Sequence, residues 1–153
     1  MNLRLFHISE EEDIRKFIPR ISKEQWSYEK YVWAIAEEKL QNYLFPRECP
    51  RICVDLEKTE VLNEWLSLTK TGNRKSIIFV AEDWEERIQN CILFKYEFDK
   101  QNFKLIDSIA GYYVSDKTEV STRKFEINNC IRELNTLNTE LVITSKKKMI
   151  EIK

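Results

Sequence analysis

Apolar residues along the chain fall into strand-length and helix-length groups separated by short polar breaks. "LRLFHIS" (3–9) opens with a strand-like Leu3–Phe6 and carries His7, the sole histidine, near its end. "SEEEDIRKF" predicts a helix with Ser9 and Glu12 as a capping box, Ile14, Phe17 and Ile18 on one face, and Pro19 as its stop. "YVWAIA" (31–36) reads as a buried strand, and "EEKLQNYLF" as a helix bearing Leu40, Tyr43 and Leu44 and closed by Pro46. "RICVDLE" (51–57) is a strand candidate, followed by a helix in "TEVLNEWLSLTK" capped by Thr59 and a turn in "TGNRK". "SIIFVA" (76–81) is a strong strand, and "DWEERIQN" a short helix with an Asp83–Glu86 capping box. "CILFKYEF" (91–98) and "FKLIDS" (103–108) predict a hairpin around "DKQN". Strands are expected at 111–116, 119–127 and 140–144, with a helix through Cys130, Ile131, Leu134 and Leu137. Residues 145–153 read as a frayed basic tail. The whole is one α+β domain spanning 1–153, with substantial antiparallel pairing.

Composition narrows the function classes. At 42% hydrophobic residues the chain is not an intrinsically disordered one. The 25 basic groups nearly cancel the 26 acidic ones, so the net charge of -1 gives no bulk attraction to nucleic acid or anionic lipid. No apolar run approaches the ~20 residues of a membrane span and no signal-peptide core opens the chain, so a cytoplasmic protein without membrane contact is expected. Cys49, Cys53, Cys91 and Cys130 are then expected as free thiols. "CPRIC" lacks the second cysteine pair that tetrahedral zinc needs, so no metal is expected. Two glycines, Gly72 and Gly111, cannot build a Gly-rich phosphate loop. Nucleophilic catalysis of the Ser–His or Cys–His type would have to run through His7, and no nucleophile elbow is present.

"LFHIS", then "YVWAIAEEKLQNYLF", then "GYYVSDKTEV" together resemble the ADP-ribosyltransferase fold in its poly(ADP-ribose) polymerase-like branch. The same segments are similar to an uncharacterised bacterial protein family with an "LFH(V/I)S" start and an "NYLFPR(E/D)CPR" block. The first resemblance implies a split, twisted, mixed or antiparallel sheet with flanking helices. It implies NAD as substrate, with His7 on a ribose hydroxyl, the Ile8 backbone on the nicotinamide amide, and Ser9 beside it. Trp33 and Tyr43 correspond to the two stacking aromatics. The Glu that the family places before Tyr112 is Gly111 here, and Glu119 is the nearby carboxylate that would replace it in stabilising an oxocarbenium-like state.

Each of these residues also has a plainer role. His7 reads equally as a structural histidine, Ser9 as a helix cap, and Trp33 and Tyr43 as core aromatics. Arg47 and Arg51 would clamp a pyrophosphate or a nucleic-acid phosphate, or else answer Glu48 and Asp55 on the surface. The expectation is therefore a protein that binds NAD or an ADP-ribosyl group through His7, Ile8, Ser9, Trp33, Tyr43 and Arg47. Its partner is a small-molecule nucleotide, with a protein or nucleic-acid acceptor unspecified. With His7 and Glu119 as catalytic residues it would be a transferase or NAD glycohydrolase, degenerate for want of the usual Glu. The alternative is a non-catalytic binding module for a nucleotide end, a peptide or a partner protein.

Overall fold

The computed structural model describes residues 2–21, 29–57 and 74–152. Among them the strands are β1 (Leu5–Ser9), β2 (Val32–Ala36), β3 (Ile52–Asp55), β4 (Ser76–Ala81), β5 (Leu93–Phe98), β6 (Lys104–Asp107), β7 (Tyr112–Ser115), β8 (Arg123–Ile127) and β9 (Thr139–Thr144). The α-helices are α1 (Glu85–Gln89), α2 (Cys130–Thr136) and α3 (Lys146–Ile152), with 3-10 turns at Glu37–Tyr43, Glu82–Trp84 and Lys100–Asn102. The class is α+β. The chain forms two compact units, one from Met1–Tyr43 and Leu93–Ile127, the other from Leu44–Ile92 and Asn128–Lys153.

The first unit holds a six-stranded sheet in the order β6-β7-β2-β1-β5-β8, every neighbouring pair antiparallel. Period-2 alternation puts Leu5, Val32, Ala34, Ala36, Phe94, Tyr96 and Phe98 on one face, where Phe17 packs over them. β1 and β2 pair only at Leu5–Ala36 and Phe6–Ile35. Beyond those positions β1 continues against β5 and β2 against β7, so the sheet is split between them.

The second unit has a three-stranded mixed sheet, β3-β4-β9, with β3 antiparallel and β9 parallel to β4. All six residues of β4 are buried, as a central strand covered on both faces requires. Ile77, Phe79, Ala81, Val142 and Met149 form its core.

Several expected elements take another form. Residues 10–16 contain no helix. Ser9 Oγ accepts the Glu11 N–H at 3.0 Å, and the segment beyond is irregular, with Ile14 and Phe17 packed on the apolar face of the sheet. There the Tyr96 hydroxyl donates to the Glu11 carbonyl at 2.6 Å and accepts the Ile14 N–H at 3.2 Å. Phe17 exchanges backbone hydrogen bonds with Glu119 at 2.8 and 2.9 Å. These long-range bonds replace the ladder that a helix would have supplied. The strand expected over 119–127 shortens accordingly to Arg123–Ile127.

β5 and β6 do not form the expected hairpin, because β6 pairs with β7. Asp107 Oδ1 accepts the N–H groups of Ile109 and Ala110 at 2.9 and 3.1 Å, and Gly111 follows at φ 77°, which together close the β6–β7 turn instead. The helix expected at 37–45 is a 3-10 turn. Asp83 does not cap α1, its carboxylate going to Lys146 Nζ at 3.1 Å. The basic tail is not frayed: Ser145 Oγ accepts the Lys148 N–H at 3.1 Å, α3 runs to Ile152, and Met149 is buried. The helix expected from Thr59 and most of the following turn lie outside the described residues. Among the described residues no helix is long and apolar enough to cross a membrane.

Candidate functional site

His7 lies in the middle of β1, one position past the last β1–β2 pair. Its Nδ1–H donates a long 3.4 Å hydrogen bond to the Trp33 carbonyl, bridging the fork where the ladder stops. A carbonyl can only accept, so this contact assigns the proton of the neutral ring to Nδ1 and leaves Nε2 as an acceptor. The imidazole packs edge-on to Phe17 at 4.9 Å between ring centroids and is tilted against Tyr96 at 6.4 Å. Burial lowers its pKa, the Trp33 carbonyl works the other way, the Arg20 charge lowers it further, and Glu11 opposes that.

Strand alternation places the imidazole on the Leu5 face of the sheet and the Trp33 indole on the Phe6 and Ile35 face. The two rings therefore do not share one wall of a pocket; they meet through the Trp33 backbone. On the indole's face, Trp33 stands edge-on to Tyr112 at 5.4 Å, and Tyr43 touches the same Tyr112 at 5.8 Å. The Tyr43 hydroxyl donates to the Ala110 carbonyl at 2.9 Å. Both expected stacking aromatics thus converge, with Tyr112 in contact with each. Trp33 Nε1 is buried and has no hydrogen-bond partner among the described residues. An unpaired buried N–H costs about 1–3 kcal/mol unless an acceptor reaches it.

The remaining expected site residues are dispersed. Ile8 and Ser9 pair with Lys95 and Phe94 of β5, and Ser9 spends its hydroxyl on the Glu11 amide. Glu119 is buried and its Oε2 accepts from Ser115 Oγ at 2.6 Å. His7 and Glu119 both touch Phe17, one through its ring and the other through its backbone. Gly111 cannot carry the missing carboxylate at low cost. Its φ is positive, and a Cβ there would stand 2.6 Å from Lys39 Cγ and 2.9 Å from Lys39 Cβ. Arg47 belongs to the second unit, exposed in a turn closed by the Cys49 N–H on the Pro46 carbonyl at 3.1 Å.

Tyr112, Tyr96 and Arg20 complete the surroundings of the fork and were not singled out by the sequence pattern. Tyr112 stands next to Gly111, but its role depends on the Ile35–Tyr112 register, which pairs distant segments. Cys49, Cys53, Cys91 and Cys130 are free thiols. Burial raises Cys130 to about 12 and Cys49 to about 11, which makes both poor nucleophiles. Among the described residues no three His, Cys, Asp or Glu side chains converge in a way that would hold a metal.

Residues 6–151 match a family described as a family of unknown function, DUF6886. The chain belongs to that family. No curated protein matches it, and no solved structure does. The family match spans both units, so the fork at His7 and the second sheet are parts of one family pattern.

Proposed function

We propose that the fork between β1 and β2 binds NAD or an ADP-ribosyl group, and that the protein turns it over slowly or not at all. The observation that carries this reading is the unpaired, buried Trp33 Nε1–H, on a residue whose backbone carbonyl His7 Nδ1–H reaches from the opposite face of the sheet. A ligand oxygen at the fork satisfies the indole donor, and a ribose hydroxyl donates to His7 Nε2. The aromatic set of Trp33, Tyr112 and Tyr43 offers a flat ring an apolar seat. The poor turnover follows from the carboxylates. Cleaving the nicotinamide–ribose bond develops positive charge on the sugar, which a well-placed carboxylate stabilises by a factor of roughly 10²–10³. Gly111 supplies none, and the Glu119 carboxylate is buried and engaged by the Ser115 hydroxyl.

Calorimetry with NAD and with ADP-ribose on the folded protein, alongside a nicotinamide-release assay, tests this. The expected result is saturable heat that falls at least tenfold in affinity in Trp33→Ala and His7→Ala proteins of native circular dichroism, with little nicotinamide released. Absence of heat at millimolar NAD and ADP-ribose rejects the reading. Rapid nicotinamide release sensitive to Glu119→Gln keeps the ligand and rejects the degeneracy.

A further inference from the structure

The second unit contains a cavity of about 400 Å³ that the fork does not involve. It opens at one end of the three-stranded sheet. β4 and β9 run parallel, with Ala81 opposite Thr144 at their carboxyl ends, and β3 enters from the same end with Ile52 opposite Phe79. The segments that leave β4 and β9 turn over this end and supply Asp83 and Trp84 from one and Lys146, Met149 and Ile150 from the other. The crevice beyond the carboxyl ends of parallel strands is where such sheets expose unused side chains and take ligands.

The chemistry of the walls is uneven. Ile52, Ala81, Trp84 and Met149 give an apolar lining, and Ile150 beside them is 74% exposed. The Arg87 guanidinium lies 4.4 Å from the Trp84 ring centroid, a cation–π contact that favours one placement of the indole. Three charges complete the lining: Arg51, Lys146 and Asp83. Arg51 is positioned by the Cys49 carbonyl at 2.9 Å and by the Phe45 ring, 5.2 Å from its guanidinium carbon. Lys146 pairs with Asp83 at 3.1 Å, but the two side chains are 73% and 47% exposed, so that pair holds weakly and its ammonium is cheaply redirected. Two cations against one carboxylate leave a net charge of about +1 at the mouth of an apolar hole.

We infer that this cavity binds a small aromatic monocarboxylate, its flat body against Trp84 and Met149 and its carboxylate on Lys146 and Arg51. The volume lies within the roughly 300–1,000 Å³ of small-molecule sites. A singly charged anion matches the lining, whereas a phosphate dianion brings an extra charge beside Asp83.

The chain has two methionines, so protein labelled with ¹³C at the methionine methyl groups gives one resonance for Met149 and one for Met1. Phenylacetate, phenylacetamide, phenethylamine and phenyl phosphate are the probes, at neutral pH. Phenylacetate is expected to move the Met149 methyl saturably through the ring current, with affinity at least about fivefold above that of phenylacetamide and phenethylamine. Lys146→Gln, at an exposed position, should bring the acid and the amide to equal affinity while leaving amide binding intact; Trp84→Leu should weaken both. No Met149 shift at tens of millimolar phenylacetate overturns the site. Equal binding of acid and amine overturns the charge assignment, and tighter binding of phenyl phosphate overturns the monoanion. The fork at His7 has no part in these readouts, so a failed NAD titration leaves them standing.

Discussion

His7 couples the local geometry of the fork to the stability of the fold. Its ring is packed among Phe17 and Tyr96 with Arg20 nearby, and burial is the largest influence on its lowered pKa. The folded state therefore resists protonation that the unfolded chain accepts. Stability contributed by the neutral ring is complete above the ordinary value of 6.5 and is lost as pH falls below it toward the folded-state value. Urea midpoints should fall between pH 7.5 and about 5.5, and His7→Gln should flatten that slope. An unchanged slope in the variant would assign the loss to other groups. Glu97 acts in a lower window. Arg4 grips it with two hydrogen bonds of 2.9 and 3.0 Å, holding its carboxyl below the ordinary 4.5, so its contribution is lost only in stronger acid. A single histidine on the first strand was legible as a site candidate from the sequence, although it lies in the middle of that strand and not near its end. Its position on the face opposite the Trp33 indole was not, because that depends on which strand lies beside β1.

The segment following β1 illustrates a strong local signal losing to tertiary contacts. Ser9, Glu12, Ile14, Phe17 and Ile18 satisfy helix rules, yet the chain is not helical where Tyr96 and Glu119 bond its backbone. An isolated helix of that length is marginal, and anchored backbone bonds plus burial of Phe17 outweigh it. Tyr96→Phe removes the acceptor of the Ile14 amide and the donor to the Glu11 carbonyl at one stroke. A loss of about 1–2 kcal/mol in unfolding free energy is expected, with the Ile14 amide among those whose hydrogen exchange accelerates most. Wild-type protection of that amide in the variant would show that Tyr96 does not hold the segment. The same logic separates β5 from β6. Both strands were legible from their alternation, but the Asp107–Gly111 turn joins β6 to β7.

At the scale of the whole molecule, each unit is assembled from two stretches distant in sequence. The six-stranded sheet takes β1 and β2 from the first stretch and its other four strands from Leu93–Ile127. A fragment ending at residue 92 keeps only β1 and β2 of that sheet, which pair at two positions. It should lack strand signal by circular dichroism and gain it when 93–153 is added in trans, whereas a folded fragment would contradict the pairing scheme. No linker marks the boundaries in the sequence, because each crossing between units directly follows or precedes a strand or 3-10 turn. The sequence by itself determined the α+β class and most strand positions. Those follow from period, β-propensity and turn chemistry, which act over a few residues. The tertiary structure alone decided that β6 joins β7, that 10–16 is not helical, that residues 146–152 form a helix, and that Tyr112 links Trp33 to Tyr43. Each is settled by which distant backbone and side-chain partners are left to be satisfied once the sheets assemble, and sequence period carries no record of that.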